Sequence, residues 1–234
     1  MSAAGQSGGG TAIRRHIERV EPELVVAARG IPTAVLADVM GRRSTLHGRV
    51  QPLAATMQVL GPAVTVEVRP GDNLMIHAAL AVARPGDVIV VVGKGDQTCA
   101  LVGEIMATQA RALGVAGFVI DAAVRDREQL IHMDFPVFSV GTNPCGPSKA
   151  IAGRVNGPVS VGGVNVAPGD LVVGDADGVT VVPRDQVGSI VALARRKMED
   201  EARRLAAIQA GDLRPAWLEA QLRVAGVLPA DESL

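Results

Sequence analysis

A mixed α/β core with a C-terminal helical extension is the fold class that this sequence predicts, and three observations predict it. Residues 87–92 (DVIVVV) form a continuous β-branched run, the pattern of a strand buried on both faces. Residues 103–113 read as a helix closed by Gly114, at a position that favours left-handed backbone, and residues 115–121 then read as a second buried strand. After Pro183 the chain turns helical to about Gln209, with the charged run RRKMEDEARR in its middle.

Taken in order, the chain opens with a tail over residues 1–12 (MSAAGQSGGGTA) that lacks the apolar core of a signal peptide and is expected to be flexible. Helical regions follow over residues 21–29 and 33–41, with Thr33 as a cap after Pro32. Residues 46–58 carry no periodicity, whereas residues 63–69 (AVTVEVR) alternate as a strand does. Residues 73–83 (NLMIHAALAVA) are helix-like, Gly93-Lys94-Gly95 reads as a loop, a short helix is expected after Asp126, and residues 136–140 read as a strand. Residues 155–183 pattern as strands and hairpins, with Asp175-Ala176-Asp177-Gly178 a hairpin turn rather than a calcium loop, because the third acidic position and the closing Glu are absent. Pro-Gly-Asp recurs at Pro70, Pro85 and Pro168, each read as a turn. Residues 215–224 make a last helix, so the expected organisation is a tail over 1–12, an α/β core over 13–189 and a helical extension over 190–234.

Composition narrows the function. The 234 residues are long enough to bury a core, 48% of them are hydrophobic, and there is no Tyr, with three Phe and only Trp217. Small aliphatic side chains must therefore fill the interior, and few platforms remain for stacking bases. A net charge of −1 gives no basic field for a nucleic-acid backbone. No apolar run is long enough to span a membrane. Cys99 and Cys145 have no metal-ligand spacing; they could pair, but a reduced cytoplasmic protein is the expectation.

The chemistry concentrates between Gly103 and Asp126 (GEIMATQARALGVAGFVIDAAVRD). A helix start at Gly103-Glu104-Ile105-Met106 offers amides to a carboxylate or phosphate, although every helix has such an end, and the helix dipole alone accounts for Glu104. Arg125-Asp126 follows a hydrophobic strand, where α/β sheets bind ligands. Arg125 could clasp a carboxylate or enolate oxygen, and Asp126 could bind Mg²⁺ or Mn²⁺, or could instead cap its helix through the D-x-x-Q pattern with Gln129. If this α–β unit folds back so that its ends meet, it makes a site for a small anionic, metal-dependent substrate. His77, four residues after Asn73, either lines a pocket or is a satisfied core histidine. On the C-terminal helix, Glu199–Arg203 and Asp200–Arg204 are spaced as i,i+4 ion pairs on an exposed face.

Together, PGDNLMIHAAL at 70–80, GEIMAT at 103–108 and VIDAAVRD at 119–126 resemble the class II pyruvate aldolase family, which also includes the regulator of ribonuclease activity A proteins. The similarity runs from about residue 20 to 210 and includes GDADGVTVVP at 174–183. It implies an αββα sandwich like the phosphohistidine swivelling domains, assembled as homotrimers or homohexamers with sites between subunits. It implies that the amides of Gly103, Glu104, Ile105 and Met106 hold the carboxylate of a 2-oxo acid, that Arg125 stabilises the enolate, and that Asp126 binds a divalent cation, Mg²⁺ or Mn²⁺. A further acid maps to Glu104, where some members carry Asp, and a glutamate from a neighbouring subunit's C-terminal helix maps to Glu199, with Glu201 as the alternative. The activity implied is cleavage of 4-hydroxy-2-oxo dicarboxylic acids such as 4-hydroxy-4-methyl-2-oxoglutarate or 4-carboxy-4-hydroxy-2-oxoadipate, as met in aromatic compound degradation, with oxaloacetate decarboxylation alongside. The other reading is a non-catalytic regulator that docks on a ribonuclease or another protein.

Overall fold

The computed structural model describes residues 12–234 and divides into one unit ending at Ala194 and a second, Arg195–Leu234. The expected tail lies outside the described residues except for Ala12, whose carbonyl accepts the Val155 amide at 2.8 Å.

The first unit begins with α1 (Pro22–Ala28), α2 (Thr33–Val39) and a two-residue strand β1 (Gln51–Pro52), which lies inside the segment expected to be irregular. Then come β2 (Val59–Glu67), α3 (Leu74–Leu80), β3 (Val88–Ala100), α4 (Glu104–Ala112), β4 (Gly117–Val124), α5 (Arg127–His132) and β5 (Val137–Thr142). Short strands follow: β6 (Arg154–Val155), β7 (Val159–Val161), β8 (Val164–Val166), β9 (Leu171–Asp175) and β10 (Gly178–Val182). A 3₁₀ turn (Arg184–Gln186) leads into α6 (Val187–Gln209), which crosses the division between the units, and α7 (Leu218–Val224) lies in the second.

Strands β2, β3, β4 and β5 are neighbours and parallel, with α3, α4 and α5 as their crossovers. The apolar runs explain this, since a parallel strand is covered on both faces. One face carries Val64, Ile89, Phe118 and Ile120 against Ile76 and Leu80 of α3 and Ala107 and Ala110 of α4. The alternate residues Ala63, Val88, Val90 and Val119 pack against Val172, Val179 and Val181 of β9 and β10. Strand β2 serves both sheets, pairing with β3 over its second half and antiparallel with β9 over its first. Helix α2 closes the far side, where the Thr180 hydroxyl donates to the Thr33 carbonyl at 3.4 Å. The layers are helix, sheet, sheet, helix, the expected αββα sandwich.

Each Pro-Gly-Asp is a turn built one way. The Asp amide donates to the carbonyl three residues back (Asp72 to Arg69 at 3.0 Å, Asp87 to Arg84 at 3.1 Å, Asp170 to Ala167 at 3.2 Å). The central glycine has φ of 75°, 87° and 86° in turn, as a type II turn requires.

Four local expectations are corrected. Thr33 is the first residue of α2 rather than its cap, and Asp175 of the β9–β10 turn caps it from outside, accepting Thr33 N–H at 2.8 Å and the Thr33 hydroxyl at 2.7 Å. Gly93-Lys94-Gly95 lies within β3, in a stretch whose register against β4 shifts and where Lys94 and Gly95 take positive φ. Asp126 sits before α5 but makes no side-chain cap bond to it, so the capping-box alternative fails. On α6 the ion pairs run Lys197–Glu201 at 2.8 Å, Arg203–Asp200, and Arg204–Asp212 at 2.8 Å, because Arg203 turns back one residue short and Arg204 reaches past the helix end.

Candidate active site

The carboxyl ends of β3 and β4 lie side by side, and the segments leaving them are stitched together. Leu101 donates to the Ala123 carbonyl, Arg125 to Val102 and Asn143 to Val124, each at 2.9 Å. This brings the two ends of the α4–β4 unit into contact: the backbone N–H of Glu104 donates to Asp126 Oδ2 at 2.9 Å. Only glycine fits before that amide. A Cβ on Gly103 would collide with Asp126 Oδ2 and lie 2.9 Å from Arg125 Cγ. Asp126 itself is left-handed (φ 58°, ψ 42°), a conformation Asp tolerates better than most residues, and this turns its carboxylate back toward α4 rather than along α5.

Arg125 Nε stands 3.7 Å from Asp126 Oδ2, with both side chains partly open to solvent at 41% and 38% exposure. Gly146 backs the guanidinium so closely that a Cβ there would lie 2.9 Å from Nη1. Arg125 borders two cavities. One is a cleft of about 100 Å³ whose lining includes Asn73, His77, Gly103, Ile105, Met106 and Lys149; the other is an open groove of about 340 Å³ that also contains Asp126.

Within the cleft, the amide of Glu104 is engaged by Asp126, whereas the amides of Ile105 and Met106 have no hydrogen-bond partner among the described residues. Those amides carry the positive end of the α4 dipole and suit a carboxylate. Asn73, 3% exposed, donates Nδ2 to the Leu101 carbonyl at 2.8 Å and to Met106 Sδ at 3.2 Å. That fixes its amide orientation and leaves Asn73 Oδ1 buried without a partner, as is His77 Nε2. His77 therefore belongs to the pocket-lining alternative. Burial, with the Lys149 charge adding to it, pushes its pKa down and so favours the neutral ring.

Lys149 reaches the cleft because Asp72 holds its loop. The Asp72 carboxylate accepts the Ser148 hydroxyl at 2.6 Å, Ala150 N–H at 2.7 Å, Ile151 N–H at 3.1 Å and Leu74 N–H at 3.0 Å. Burial alone would raise the Asp72 pKa, but these bonds outweigh it and hold it at about 2.

The predicted acids are not all gathered. The exposed Glu104 side chain lines a shallow groove with Glu128, Gln129 and His132, outside the cleft. Glu199 and Glu201 are exposed on α6 in the second unit, Glu201 paired with Lys197. Among the described residues no group of three or more His, Cys, Asp or Glu could cage a metal ion. Asp126, with bonding capacity left on its carboxylate, could hold a hard cation that keeps most of its waters, which is the habit of Mg²⁺. Sequence reasoning missed Asn73, Gly146 and Lys149. Only Asn73 left a signal, a polar residue four before His77 on an otherwise apolar helix.

A sequence profile of the family described as RraA-like, Aldolase/RraA, matches residues 33–181. The chain belongs to this family. A protein of Halalkalibacterium halodurans, named as a proposed 4-hydroxy-4-methyl-2-oxoglutarate aldolase, is 42% identical over 192 residues, covering 82% of this chain and 91% of that one. Among solved structures, Streptomyces coelicolor RraAS2, described as an unusual member of the RNase ES inhibitor RraA family, superposes with a TM-score of 0.73 at 31% identity; it covers 80% of this chain and 99% of its own. An uncharacterized protein of Pseudomonas syringae pv. tomato superposes with a TM-score of 0.74 at 27% identity, covering 83% of this chain and 96% of its own. Family members thus include both a protein named as an aldolase and one named among ribonuclease inhibitors.

Proposed function

We propose that the protein is a cytoplasmic, divalent-metal-dependent lyase that cleaves 4-hydroxy-2-oxo dicarboxylic acids to pyruvate and a second 2-oxo acid, and that also decarboxylates oxaloacetate. The observation that carries this reading is the closure of Glu104 N–H on the Asp126 carboxylate beside Arg125. It ties the cleft, with its unpaired amides, to the groove that holds the metal-competent Asp126 carboxylate, with Arg125 bordering both at the ends of parallel strands. The relative named as an aldolase supports the same chemistry.

In this reading the amides of Ile105 and Met106 hold the substrate carboxylate and so orient the adjacent keto group toward Arg125. As the C3–C4 bond breaks, negative charge grows on the keto oxygen. Arg125, half shielded from solvent and backed by Gly146, stabilises that charge, an effect worth about 2.7–4 kcal/mol for a single well-placed donor. Asp126 would hold a Mg²⁺ or Mn²⁺ ion, whose Lewis acidity would add to the charge that Arg125 stabilises. The C4 hydroxyl must lose its proton for the bond to break. Glu104 takes it through an ordered water, with Glu199 or Glu201 from a neighbouring subunit of a homotrimer or homohexamer completing the acid pair. The Glu104 side chain has no ion pair or hydrogen bond among the described residues and is free to rotate toward the cleft.

The test is pyruvate release, followed with coupled lactate dehydrogenase, from several 4-hydroxy-2-oxo acids and from oxaloacetate. Activity is expected with Mg²⁺ and none with EDTA, and full activity in Arg125→Ala or Asp126→Ala protein would falsify the reading. The ribonuclease-inhibitor family of the Streptomyces relative motivates a second reading, a binding protein. Inactivity on the whole 2-oxo acid panel, together with stoichiometric inhibition of a purified ribonuclease, would establish that one instead.

A further inference from the structure

The two cysteines have no part in the aldolase reading, yet the fold brings them together beside Arg125. Cys99 is in β3 and buried; Cys145 is in the loop after β5 and exposed. Three bonds dock that loop on the strand: Asn143 Nδ2 to the Gln97 carbonyl at 2.7 Å, Cys145 N–H to Asn143 Oδ1 at 2.8 Å, and Ala100 N–H to the Cys145 carbonyl at 2.8 Å. Each thiol at present donates to a neighbouring carbonyl, Cys99 Sγ to Ala100 at 3.5 Å and Cys145 Sγ to Gly146 at 3.8 Å, so neither is tied into a bond that a rotation could not release. The Ala100–Cys145 backbone bond holds Cys145 against the residue that follows Cys99, which brings the two cysteines within reach of the ~4.4–6.8 Å Cα spacing that a disulfide spans.

We propose that Cys99 and Cys145 form a thiol pair that peroxide oxidises to an intramolecular disulfide, a covalent modification site at the rim of the cleft that resets Arg125. The covalent step does not rest on the aldolase reading; only its effect on turnover does. Cys145, open to solvent, reacts first. Its sulfur attacks one peroxide oxygen, the O–O bond breaks, and the released hydroxide leaves as water with the Cys145 proton. The sulfenic acid formed is then attacked by the Cys99 sulfur, the S–O bond breaks, and the hydroxyl leaves as a second water with the Cys99 proton. Two thiols lose two electrons and the peroxide gains them. Burial pushes the Cys99 thiol up, and Cys145 and Asp96 push the same way against Arg125, which agrees with the exposed Cys145 being the thiol that peroxide meets first. The consequence follows from the next residue. Gly146 rests on the Arg125 guanidinium, so drawing Cys145 onto Cys99 moves the backbone that backs the cation.

The full-length protein, dilute and reduced, is treated with hydrogen peroxide, and its intact mass and unreduced peptide map are measured. The expected result is a loss of two hydrogens, a cross-linked peptide pair holding Cys99 and Cys145, and reversal by dithiothreitol. Cys145→Ser and Cys99→Ser proteins form no such link. On oxidation the pyruvate-forming rate falls by about 10-fold or more in the wild type, as expected for a displaced catalytic cation, and stays level in Cys145→Ser. Recovery of Cys145 as sulfinic acid with Cys99 still alkylatable, or a link between two chains through Cys145, overturns the proposal. A link that forms without any change in rate overturns the coupling to Arg125. A protein with no pyruvate-forming activity in any state refutes the aldolase reading, while the mass and the peptide map still decide the modification.

Discussion

Asp87 and Asp126 stand at opposite ends of the same parallel sheet and are treated in opposite ways. Asp87, at the start of β3, is 1% exposed and fully engaged: Arg19 donates through Nε and Nη2, both at 2.7 Å, and Arg84 N–H adds a third bond at 2.7 Å. Asp126, past the end of β4, accepts one backbone amide at 2.9 Å and faces its arginine at an offset 3.7 Å. Both are Arg–Asp pairs. The first is closed and dry and holds the amino-terminal segment to the sheet. The second is open, has bonding capacity left, and sits beside unpaired amides. A carboxylate with both oxygens clasped by a buried arginine is a structural device, whereas one left incomplete next to a cation is where a ligand or metal can bind.

Breaking each pair in turn tests that contrast. Arg19→Ala strands a buried charge, and a loss of about 3–5 kcal/mol in urea unfolding is expected, with kcat of the folded fraction unchanged. A cost below ~1 kcal/mol would mean that the pair is not the closure described. Arg125→Ala is expected to do the reverse, lowering kcat by about 10²–10³-fold while leaving the unfolding midpoint in place. Gly103→Ala sharpens the comparison without touching a charge. Its new methyl pushes Asp126 and Arg125 aside, so kcat/KM falls by as much as ~10²-fold, and wild-type activity in this variant would show that the close approach is dispensable.

The smallest effect concerns pH. Asp72 is depressed from 3.8 to about 2 in the folded protein, so its contribution is complete above the unfolded pKa and is lost as pH falls from 3.8 through about 2. The stability difference between wild type and Asp72→Asn should be constant above pH ~4 and shrink below it, read from urea midpoints across that range. A difference that grows on acidification would mean that the loop carrying Lys149 is held by something else.

The α/β alternation was legible because β-branched runs and a 3.6-residue period report burial directly. Residues 87–92 and 115–121 became β3 and β4, and Gly114 closed α4 with φ 74°. Capping was not legible in the same way. The sequence around Thr33 and around Asp126 satisfies the local rules for a cap, yet Thr33 is bonded by Asp175 from across the fold and Asp126 is turned onto α4. Local rules fail where a distant partner offers a better bond, and no window of sequence contains that partner. The α6 ion pairs miss for a milder reason: an exposed arginine chooses among acids three, four or eight residues away at nearly equal cost.

By itself, then, the sequence determined the α/β alternation, which strands are buried on both faces, and the pairing of an anion-friendly helix start with an Arg-Asp end, since hydrophobic period and residue chemistry are local properties. The αββα layering was implied only by the family resemblance. The tertiary structure alone decided that those two ends touch through Glu104 N–H and Asp126, that Asn73 and His77 line the cleft, and that the Cys145 loop docks on the residue after Cys99. Each of these joins groups far apart in the chain, and only the parallel packing of β3, β4 and β5 sets the distances between them.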